Sequence, residues 1–306
     1  MLELLKYLAS VSEVYVPGEK SGISQFVPWD GETVPNLSGA NTTMPPKDIL
    51  FPKTECMYTY GRNGISENTD SVRRTLFGVR PCDAAAIERM DMVFLREGYT
   101  DEFYARRRDN LIIVAAACTD EGENCFCSQL GIDKSSAPTA DILLRADGSL
   151  TACSELGSDL LARAGCSFTK AEPCEAEPMP FAPAENLPKV FDDRAFWERF
   201  TQPCLKCGTC AFVCPTCYCF DINNEADCAY RSWDSCVFND YNLAAGGHNS
   251  RPTSLERLRN RYMHKLSYFY ERHDVALCTG CGRCVSKCPA HLDIRDVLDA
   301  AMEVQA

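Results

Sequence analysis

The first half of the chain alternates short apolar runs with segments of helical composition. Residues 75–79 and 111–117 are apolar runs of strand length, and residues 83–90 between them are rich in alanine and suited to a helix. Residues 141–153 hold two further apolar stretches around Asp147-Gly148, a pair that supplies the positive φ angles of a tight hairpin turn. This order of strands and helix predicts an α/β domain.

The periodicity becomes helical after a proline-rich stretch. Residues 171–190 contain five prolines and little periodicity, so we predict a boundary there between an α/β domain at 1–185 and a second domain at 186–306. In the second domain Thr253 and Glu256 have the spacing of a capping box, and apolar residues follow them at helical spacing. We therefore expect the second domain to be rich in α-helix.

A basic stripe accompanies the helix that is predicted to start at Thr253. Its members, Arg257, Arg261 and Lys265, are spaced to lie on one helix face. Such a stripe can face an anionic group or a partner, but a solvated helix face is the commoner arrangement. We expect these side chains to be exposed to solvent.

Composition and charge narrow the classes of function. The 306 residues are 45% hydrophobic, enough for a packed core, and have a formal net charge of -12. This acidity argues against nucleic-acid binding and favours partners with basic patches, although acidity that serves only solubility is equally compatible. Because no apolar run of about 18 residues occurs, neither a membrane span nor a signal peptide is predicted. We expect a cytoplasmic protein without a membrane partner.

Twenty cysteines dominate the chemistry of the sequence. With no secretory signal, and with cysteines three apart in tight runs, metal ligation in a reducing compartment is favoured over a disulfide scaffold. Two full copies of the bacterial ferredoxin run are present: Cys204-x2-Cys207-x2-Cys210-x3-Cys214-Pro215 and Cys278-x2-Cys281-x2-Cys284-x3-Cys288-Pro289. Zinc also accepts four thiolates, but the repeated run with its closing Cys-Pro fits [4Fe-4S] clusters better.

The ferredoxin pattern also predicts which cysteines share a cluster. Thiolates three apart on a tight loop converge on three corners of an iron-sulfur cube, while the fourth cysteine of each run reaches the other cluster. The predicted ligands of the first [4Fe-4S] cluster are Cys204, Cys207, Cys210 and Cys288. The predicted ligands of the second are Cys278, Cys281, Cys284 and Cys214.

The two runs are separated by a long insert at about residues 215–277. Within it, Cys217, Cys219 and Cys236 could be further ligands of a metal centre or buried free thiols, and the spacing favours neither. Cys228 could complete a set of four. The expected architecture is therefore an α/β N-terminal domain followed by an α-rich, two-cluster ferredoxin-like domain with a long insert.

Four cysteines in the first half point to a third centre. Cys82 and Cys118 directly follow the strands predicted at 75–79 and 111–117. If these strands are parallel neighbours, both thiols lie at the carboxyl edge of one sheet. Cys125 and Cys127 lie on the loop that leaves the same edge. We predict a third iron-sulfur cluster, ahead of a zinc site or unligated thiols, at Cys82, Cys118, Cys125 and Cys127. The remaining cysteines are interpreted as ordinary thiols: Cys56, Cys153, Cys166 and Cys174.

No motif for another cofactor is present in the sequence. No Gly-x-Gly-x-x-Gly follows a predicted strand, and neither a Walker loop nor a Cys-x-x-Cys-His haem site occurs. We therefore expect no flavin or nucleotide on this chain. The sequence predicts a protein that receives electrons from one partner and delivers them to another, without being catalytic alone.

Several short motifs, taken together, resemble one family. They are Gly78-Val79-Arg80-Pro81-Cys82-Asp83, Asn124-Cys125-Phe126-Cys127, Cys214-Pro215-Thr216-Cys217-Tyr218-Cys219-Phe220, Arg231-x-Trp233-Asp234-Ser235-Cys236, Gly246-Gly247-His248-Asn249 and the second ferredoxin run. The chain resembles the iron-sulfur beta subunits of cytoplasmic sulfhydrogenases, the A subunit of anaerobic sulfite reductase, and related subunits of flavin oxidoreductase and heterodisulfide reductase complexes.

The resemblance implies an electron-transfer subunit of a soluble anaerobic oxidoreductase complex. Its partners would be a flavoprotein that oxidises NAD(P)H and carries its own [2Fe-2S] centre, and a terminal hydrogenase, sulfite reductase or disulfide reductase. The resemblance also implies that Cys217, Cys219 and Cys236 matter for function, without showing whether they are ligands. Two alternatives stay open: a zinc-stapled scaffold, and a stand-alone reductase that uses the N-terminal cysteine centre.

Overall fold

The computed structural model describes residues 1–62, 64–172 and 180–304. The strands are β1 (Glu13–Lys20), β2 (Ile23–Pro28), β3 (Thr54–Gly61), β4 (Gly64–Glu67), β5 (Arg74–Val79), β6 (Leu111–Ala116), β7 (Ile142–Leu144), β8 (Leu150–Ala152), β9 (Thr169–Lys170), β10 (Phe220–Glu225) and β11 (Cys228–Trp233). The α-helices are α1 (Leu2–Val11), α2 (Pro81–Phe94), α3 (Glu102–Asp109), α4 (Glu155–Arg163), α5 (Ala182–Asn186), α6 (Arg194–Thr201), α7 (Thr209–Phe212), α8 (Ser254–Met263), α9 (Tyr270–His273), α10 (Arg283–Ser286) and α11 (Ile294–Met302). A π-helical turn, His264–Tyr268, joins α8 to α9.

A seven-stranded sheet organises the first half of the chain. Its order is β2-β1-β5-β6-β7-β8-β9, and the neighbours β1, β5, β6 and β7 run parallel. The predicted strand-helix-strand unit is confirmed as β5, α2 and β6, with α3 as an addition before β6. The predicted hairpin is confirmed by the antiparallel pair β7 and β8.

Helices cover both faces of this sheet. Ile112 and Val114 of β6 pack in one hydrophobic cluster with residues of α1 and α4, and Ile113 packs in another with residues of α2. Burial on both sides explains why β6 is a continuous apolar run rather than an alternating one. The sheet therefore forms the middle layer of an α/β sandwich.

A glycine bends the chain at the carboxyl end of β5. The pairing of β5 with β6 shifts register between Phe77 and Val79, and Gly78 between them has a φ angle of +86°. A Cβ at Gly78 would lie 2.5 Å from the side chain of Leu37. Glycine thus allows the turn into α2, where Cys82 lies.

A second, antiparallel sheet joins the two halves of the chain. Its order is β10-β11-β3-β4, so β11, from the stretch predicted as an insert, pairs with β3 of the first half. Beneath it the Glu55 carboxylate binds Arg107 and Arg231 at 2.5 Å each, and Arg231 also pairs with Asp101. The insert therefore contributes strands as well as the predicted helix.

The helix predicted to start at Thr253 is confirmed as α8. Thr253 and Glu256 form the predicted capping box at the start of α8, with the Glu256 carboxylate accepting from the Thr253 amide at 2.8 Å. The boundary at 185/186 stays a prediction, since residues 173–179, with Cys174, lie outside the described residues. No helix in the described ranges has the length and apolar character needed to span a bilayer.

Cys56 of β3 and Cys228 of β11 form a disulfide, which the sequence analysis did not predict. Their Cα atoms lie 6.1 Å apart, although 172 positions separate them in sequence. The interpretation of Cys56 as an ordinary thiol and of Cys228 as a possible metal ligand was therefore wrong. The reason is tertiary, because only the pairing of β11 with β3 brings the two side chains together.

This disulfide should make stability depend on redox conditions. We expect Cys228→Ser to lower thermal stability without reductant by an amount equivalent to about 2–4 kcal/mol, because the bond closes a long loop. With a thiol reductant, the variant and the unmodified protein should unfold at similar temperatures. Cys153→Ser, which changes an unbonded thiol, is the matched control. Equal stability of Cys228→Ser and the parent protein under oxidising conditions would contradict the expectation.

Candidate iron-sulfur centres

The predicted ligand cysteines line three separate cavities. The first cavity is lined by Cys204, Cys207, Cys210 and Cys288, together with Cys284. The second is lined by Cys214, Cys278, Cys281 and Cys284. The third is lined by Cys82, Cys118, Cys125 and Cys127. In the described part of the chain, no three His, Cys, Asp or Glu side chains are grouped as a site for a single metal ion.

The two ferredoxin runs adopt the same local geometry. Each has a glycine with a left-handed φ angle, +75° at Gly208 and +74° at Gly282, followed directly by a four-residue helix. These helices, α7 and α10, carry the third cysteine of each run, Cys210 and Cys284. The fourth cysteine of each run lines the cavity of the other run.

The second run packs directly on the loop that carries Cys125 and Cys127. The Phe126 amide donates to the Gly280 carbonyl at 2.8 Å. A Cβ at Gly280 would lie 2.5 Å from the Cys127 amide nitrogen, and one at Gly282 would overlap the Asn124 carbonyl. Glycine at both positions therefore allows the second and third cavities to adjoin.

Asn41 links the same two cavities from the first half. Its side-chain amide donates to the Cys281 carbonyl at 2.8 Å and lies 3.9 Å from the Cys82 sulfur. The Cys125 thiol also points at the Cys281 carbonyl, at 3.9 Å. On the other side, Cys284 and Arg261 line both the first and the second cavity. The three cavities thus form a row, with the second in the middle.

A buried ion pair fixes the second run to the α/β layer. Arg283 donates to both oxygens of Asp83, at 2.5 and 2.7 Å, and to the Thr42 carbonyl at 2.6 Å. Arg283 and Asp83 are 2% and 1% exposed. Asp83 directly follows Cys82, so this pair positions the start of α2 against the loop that carries Cys281 and Cys284.

Three buried cations lie close to cysteines of the two ferredoxin runs and of the segment that follows the first run. Arg261 donates to the Cys217 sulfur at 3.2 Å and to the Cys210 carbonyl at 2.6 Å. Lys265 donates to the Thr216 hydroxyl at 2.8 Å, and Lys47 donates to the Cys217 carbonyl at 2.7 Å. All three are at most 3% exposed. The expectation that Arg261 and Lys265, with Arg257, form a solvated helix face was therefore wrong.

The charge of these cations indicates which kind of group could bind in the cavities. Among the described residues none of Lys47, Arg261 and Lys265 forms an ion pair with a carboxylate. Burial lowers the pKa of Lys47 to about 8. Burial opposes the charge of Lys265 as well, yet the thiols of Cys214 and Cys217 raise its pKa above the ordinary value. Cations buried beside thiols favour the binding of an anionic group. An iron-sulfur cluster with thiolate ligands is such a group.

The three further candidate cysteines do not gather around one of these cavities. Cys217 is buried and accepts the hydrogen bond from Arg261. Cys219 and Cys236 are neighbours, and their mutual hydrogen bond lowers the pKa of Cys219 to about 6 while raising that of Cys236. The described geometry thus leaves these thiols beside the row of cavities.

No motif or periodicity in the sequence marks Asn41 or Lys47 as a site residue. Asn41 lies in the loop after β2, and Lys47 lies in a short 3-10 helix, Pro46–Ile49, before β3. Arg261 and Lys265 carried a signal, because two basic residues four apart on a helix between two cysteine runs are placed to reach one anionic group. Their burial could not be read from the helix alone.

The fold and the cysteine cavities define the class of this chain as an iron-sulfur protein with an N-terminal α/β sheet. A family model described as "4Fe-4S dicluster domain" matches residues 203–292. The chain is also 32% identical, over 98% of its length and 96% of the relative, to the sulfhydrogenase 2 subunit beta of Pyrococcus furiosus. No solved structure is significantly similar to it. The chain belongs to the family of iron-sulfur beta subunits that includes this sulfhydrogenase subunit, as its motifs suggested.

The buried ion pair at Asp83 gives a stability prediction. We expect Asp83→Asn to destabilise the protein by about 3–5 kcal/mol, because it leaves the Arg283 charge buried without a partner. Thermal unfolding of the purified protein measures the change. The matched control is Glu198→Gln, which removes one partner of the exposed pair with Arg194 and should cost under about 1 kcal/mol. Similar losses for the two variants would show that Arg283 does not depend on Asp83.

Proposed function

We propose that this chain is the electron-transfer iron-sulfur subunit of a soluble anaerobic oxidoreductase complex. It would relay electrons between an NAD(P)H-oxidising flavoprotein subunit with a [2Fe-2S] centre and a terminal catalytic subunit, which is a hydrogenase, a sulfite reductase or a disulfide reductase. The observation that carries the proposal is the row of three adjoining, cysteine-lined cavities. The sulfhydrogenase relative supports a place in such a complex.

We assign ligands by cavity. The first [4Fe-4S] cluster would be held by Cys204, Cys207, Cys210 and Cys288, and the second by Cys278, Cys281, Cys284 and Cys214. A third iron-sulfur cluster would be held by Cys82, Cys118, Cys125 and Cys127. When bound, such groups supply one-electron transfer without a protein bond being made or broken. The chain's own residues hold the thiolates in place, balance their charge and keep bulk water from the middle of the row.

The exposure of the row suggests where electrons enter or leave. Cys207 is exposed, and Leu205 beside it is 66% exposed, so the first centre lies nearest the surface at one end. Cys278 and Cys281 are buried, as suits a middle position. Cys118 and Cys125, at the other end, are half-buried. We propose that the two partner subunits dock at opposite ends of the row.

Metal content tests the proposed function directly. Anaerobically purified protein should contain iron and acid-labile sulfide in equal amounts and show the broad visible absorbance of an iron-sulfur protein. Zinc without labile sulfide would refute the proposal and support a zinc-stapled scaffold, for which the four-thiolate sets are the only argument. The stand-alone reductase makes a different prediction, namely substrate reduction by the isolated chain with a chemical electron donor.

The third centre has its own test. We expect Cys125→Ser/Cys127→Ser to lower the iron content by about one cluster's worth, to leave both ferredoxin-type signals intact and to slow electron transfer from the flavoprotein. Iron analysis and electron paramagnetic resonance of the reduced protein measure these effects. The matched control is Cys153→Ser/Cys166→Ser, which changes two thiols outside the three cavities. Unchanged iron in the Cys125→Ser/Cys127→Ser protein would rule out the third cluster.

The crossed assignment of the fourth cysteines is tested by comparing three single variants. Cys214→Ala should remove the same resonance signal as Cys278→Ala, because both thiolates would bind the second cluster. Cys204→Ala should remove the other signal. If Cys214→Ala instead matched Cys204→Ala, each run would hold its own cluster and the assignment would be wrong.

Cys217, Cys219 and Cys236 remain candidates for a further metal centre. The alternative is that they are buried thiols bordering the clusters, which the hydrogen bond between Arg261 and Cys217 and the pairing of Cys219 with Cys236 support. Iron analysis of Cys219→Ser/Cys236→Ser separates the two. A loss equal to that of Cys125→Ser/Cys127→Ser favours ligation, and unchanged iron favours free thiols.

A further inference from the structure

Arg261 occupies a distinct position between two of the three cavities. It lies on α8, is 3% exposed, and lines both the first and the second cavity. Cys284 is the one ligand cysteine that lines the same two cavities. A charge at this position acts on both centres at once.

The bonds of Arg261 hold its charge at that point. One guanidinium nitrogen donates to the Cys217 sulfur at 3.2 Å, and the other donates to the Cys210 carbonyl at 2.6 Å. Neither acceptor is a carboxylate, and no carboxylate among the described residues forms an ion pair with Arg261. A buried charge of this kind requires a negative counterpart nearby, and the thiol groups of the two cavities are the candidates.

We propose that Arg261 sets the reduction potentials of both the first and the second iron-sulfur centre by stabilising their reduced, more negative forms. The inference rests on the proposed function, since it requires clusters in these cavities. Each reduction adds one electron, taken from an external donor, and no bond at the protein is formed or broken. The fixed cation makes this added negative charge more favourable.

Two neighbours on the same helical stretch act as internal comparisons. Lys265 lines the second cavity but not the first, so its charge should act mainly on the second centre. Arg257 is 4% exposed and one turn before Arg261, but it lines neither cavity. Its guanidinium donates instead to the carbonyls of Val237, Arg251 and Pro252. Arg257 therefore controls for the loss of a buried arginine from this helix.

The experiment is a redox titration of the anaerobically purified full chain, followed by electron paramagnetic resonance, in parallel with iron analysis. Arg261→Gln should lower the equilibrium constant for reduction of two centres by about tenfold each, which is ~59 mV for a one-electron couple. Lys265→Gln should shift one of these two centres. Arg257→Gln should shift none. All three variants should retain the iron content of the unmodified protein.

The outcomes separate this inference from the proposed function. If the unmodified protein gives no cluster signal, the proposed function fails. If the signals are present but Arg261→Gln leaves every midpoint unchanged, or shifts them no more than Arg257→Gln, only the inference on Arg261 fails.

A second variant decides the matter if Arg261→Gln does not retain iron. Arg261→Lys keeps the positive charge on a different side chain. Restored iron with both equilibrium constants for reduction within about threefold of their original values supports the charge effect. Iron loss in Arg261→Lys as well, or restored iron with both equilibrium constants lowered about tenfold, overturns it.

Discussion

The close approach of the second ferredoxin run to the α/β half is the constraint on which the arrangement depends. Gly280 and Gly282 bring the backbone of this run against the loop at 124–127, where any side chain would collide. The buried pair of Arg283 and Asp83 holds the same contact on the other side of the run. Because of it, the second cavity adjoins the third, and the first half of the chain becomes part of the row of cysteines.

Charge balance is the second condition of this interior. Arg261, Lys265 and Lys47 are buried among thiols and backbone carbonyls, an arrangement that is unfavourable unless anionic groups lie nearby. Thiolates of the neighbouring cysteines are the anionic groups that can balance these cations, so the charge state of the cysteines and the stability of this region are coupled. The overall acidity of the chain, with a net charge of -12, belongs to its surface and does not describe the surroundings of the cysteines.

The long insert has a structural part in the arrangement. Its strand β11 pairs with β3, and both the disulfide and the charge network of Arg231 and Glu55 strengthen that pairing. The chain then returns through Trp233, whose ring lies 4.0 Å from the Lys47 ammonium. The stretch between the two cysteine runs thus holds Lys47 beside Cys217.

Features that depend on a local pattern were predictable from the sequence. Apolar runs and turn residues predicted β5, α2, β6 and the β7–β8 hairpin. The ferredoxin spacing predicted the cysteine sets that line the first and second cavities, and the order of strands predicted the set that lines the third. Apolar runs of strand length, turn residues and the three-residue spacing within each cysteine run are each encoded within a few neighbouring residues, so a local pattern is enough to predict them.

Contacts between distant segments have no local sequence signal. The disulfide of Cys56 with Cys228 depends on a strand pairing across 172 positions, which neither local sequence records. Arg257, Arg261 and Lys265 have the pattern of an exposed basic face, yet packing buries all three. Whether a charged helix face meets water or an anionic cavity depends on what the rest of the chain places opposite it, and periodicity carries no information about that.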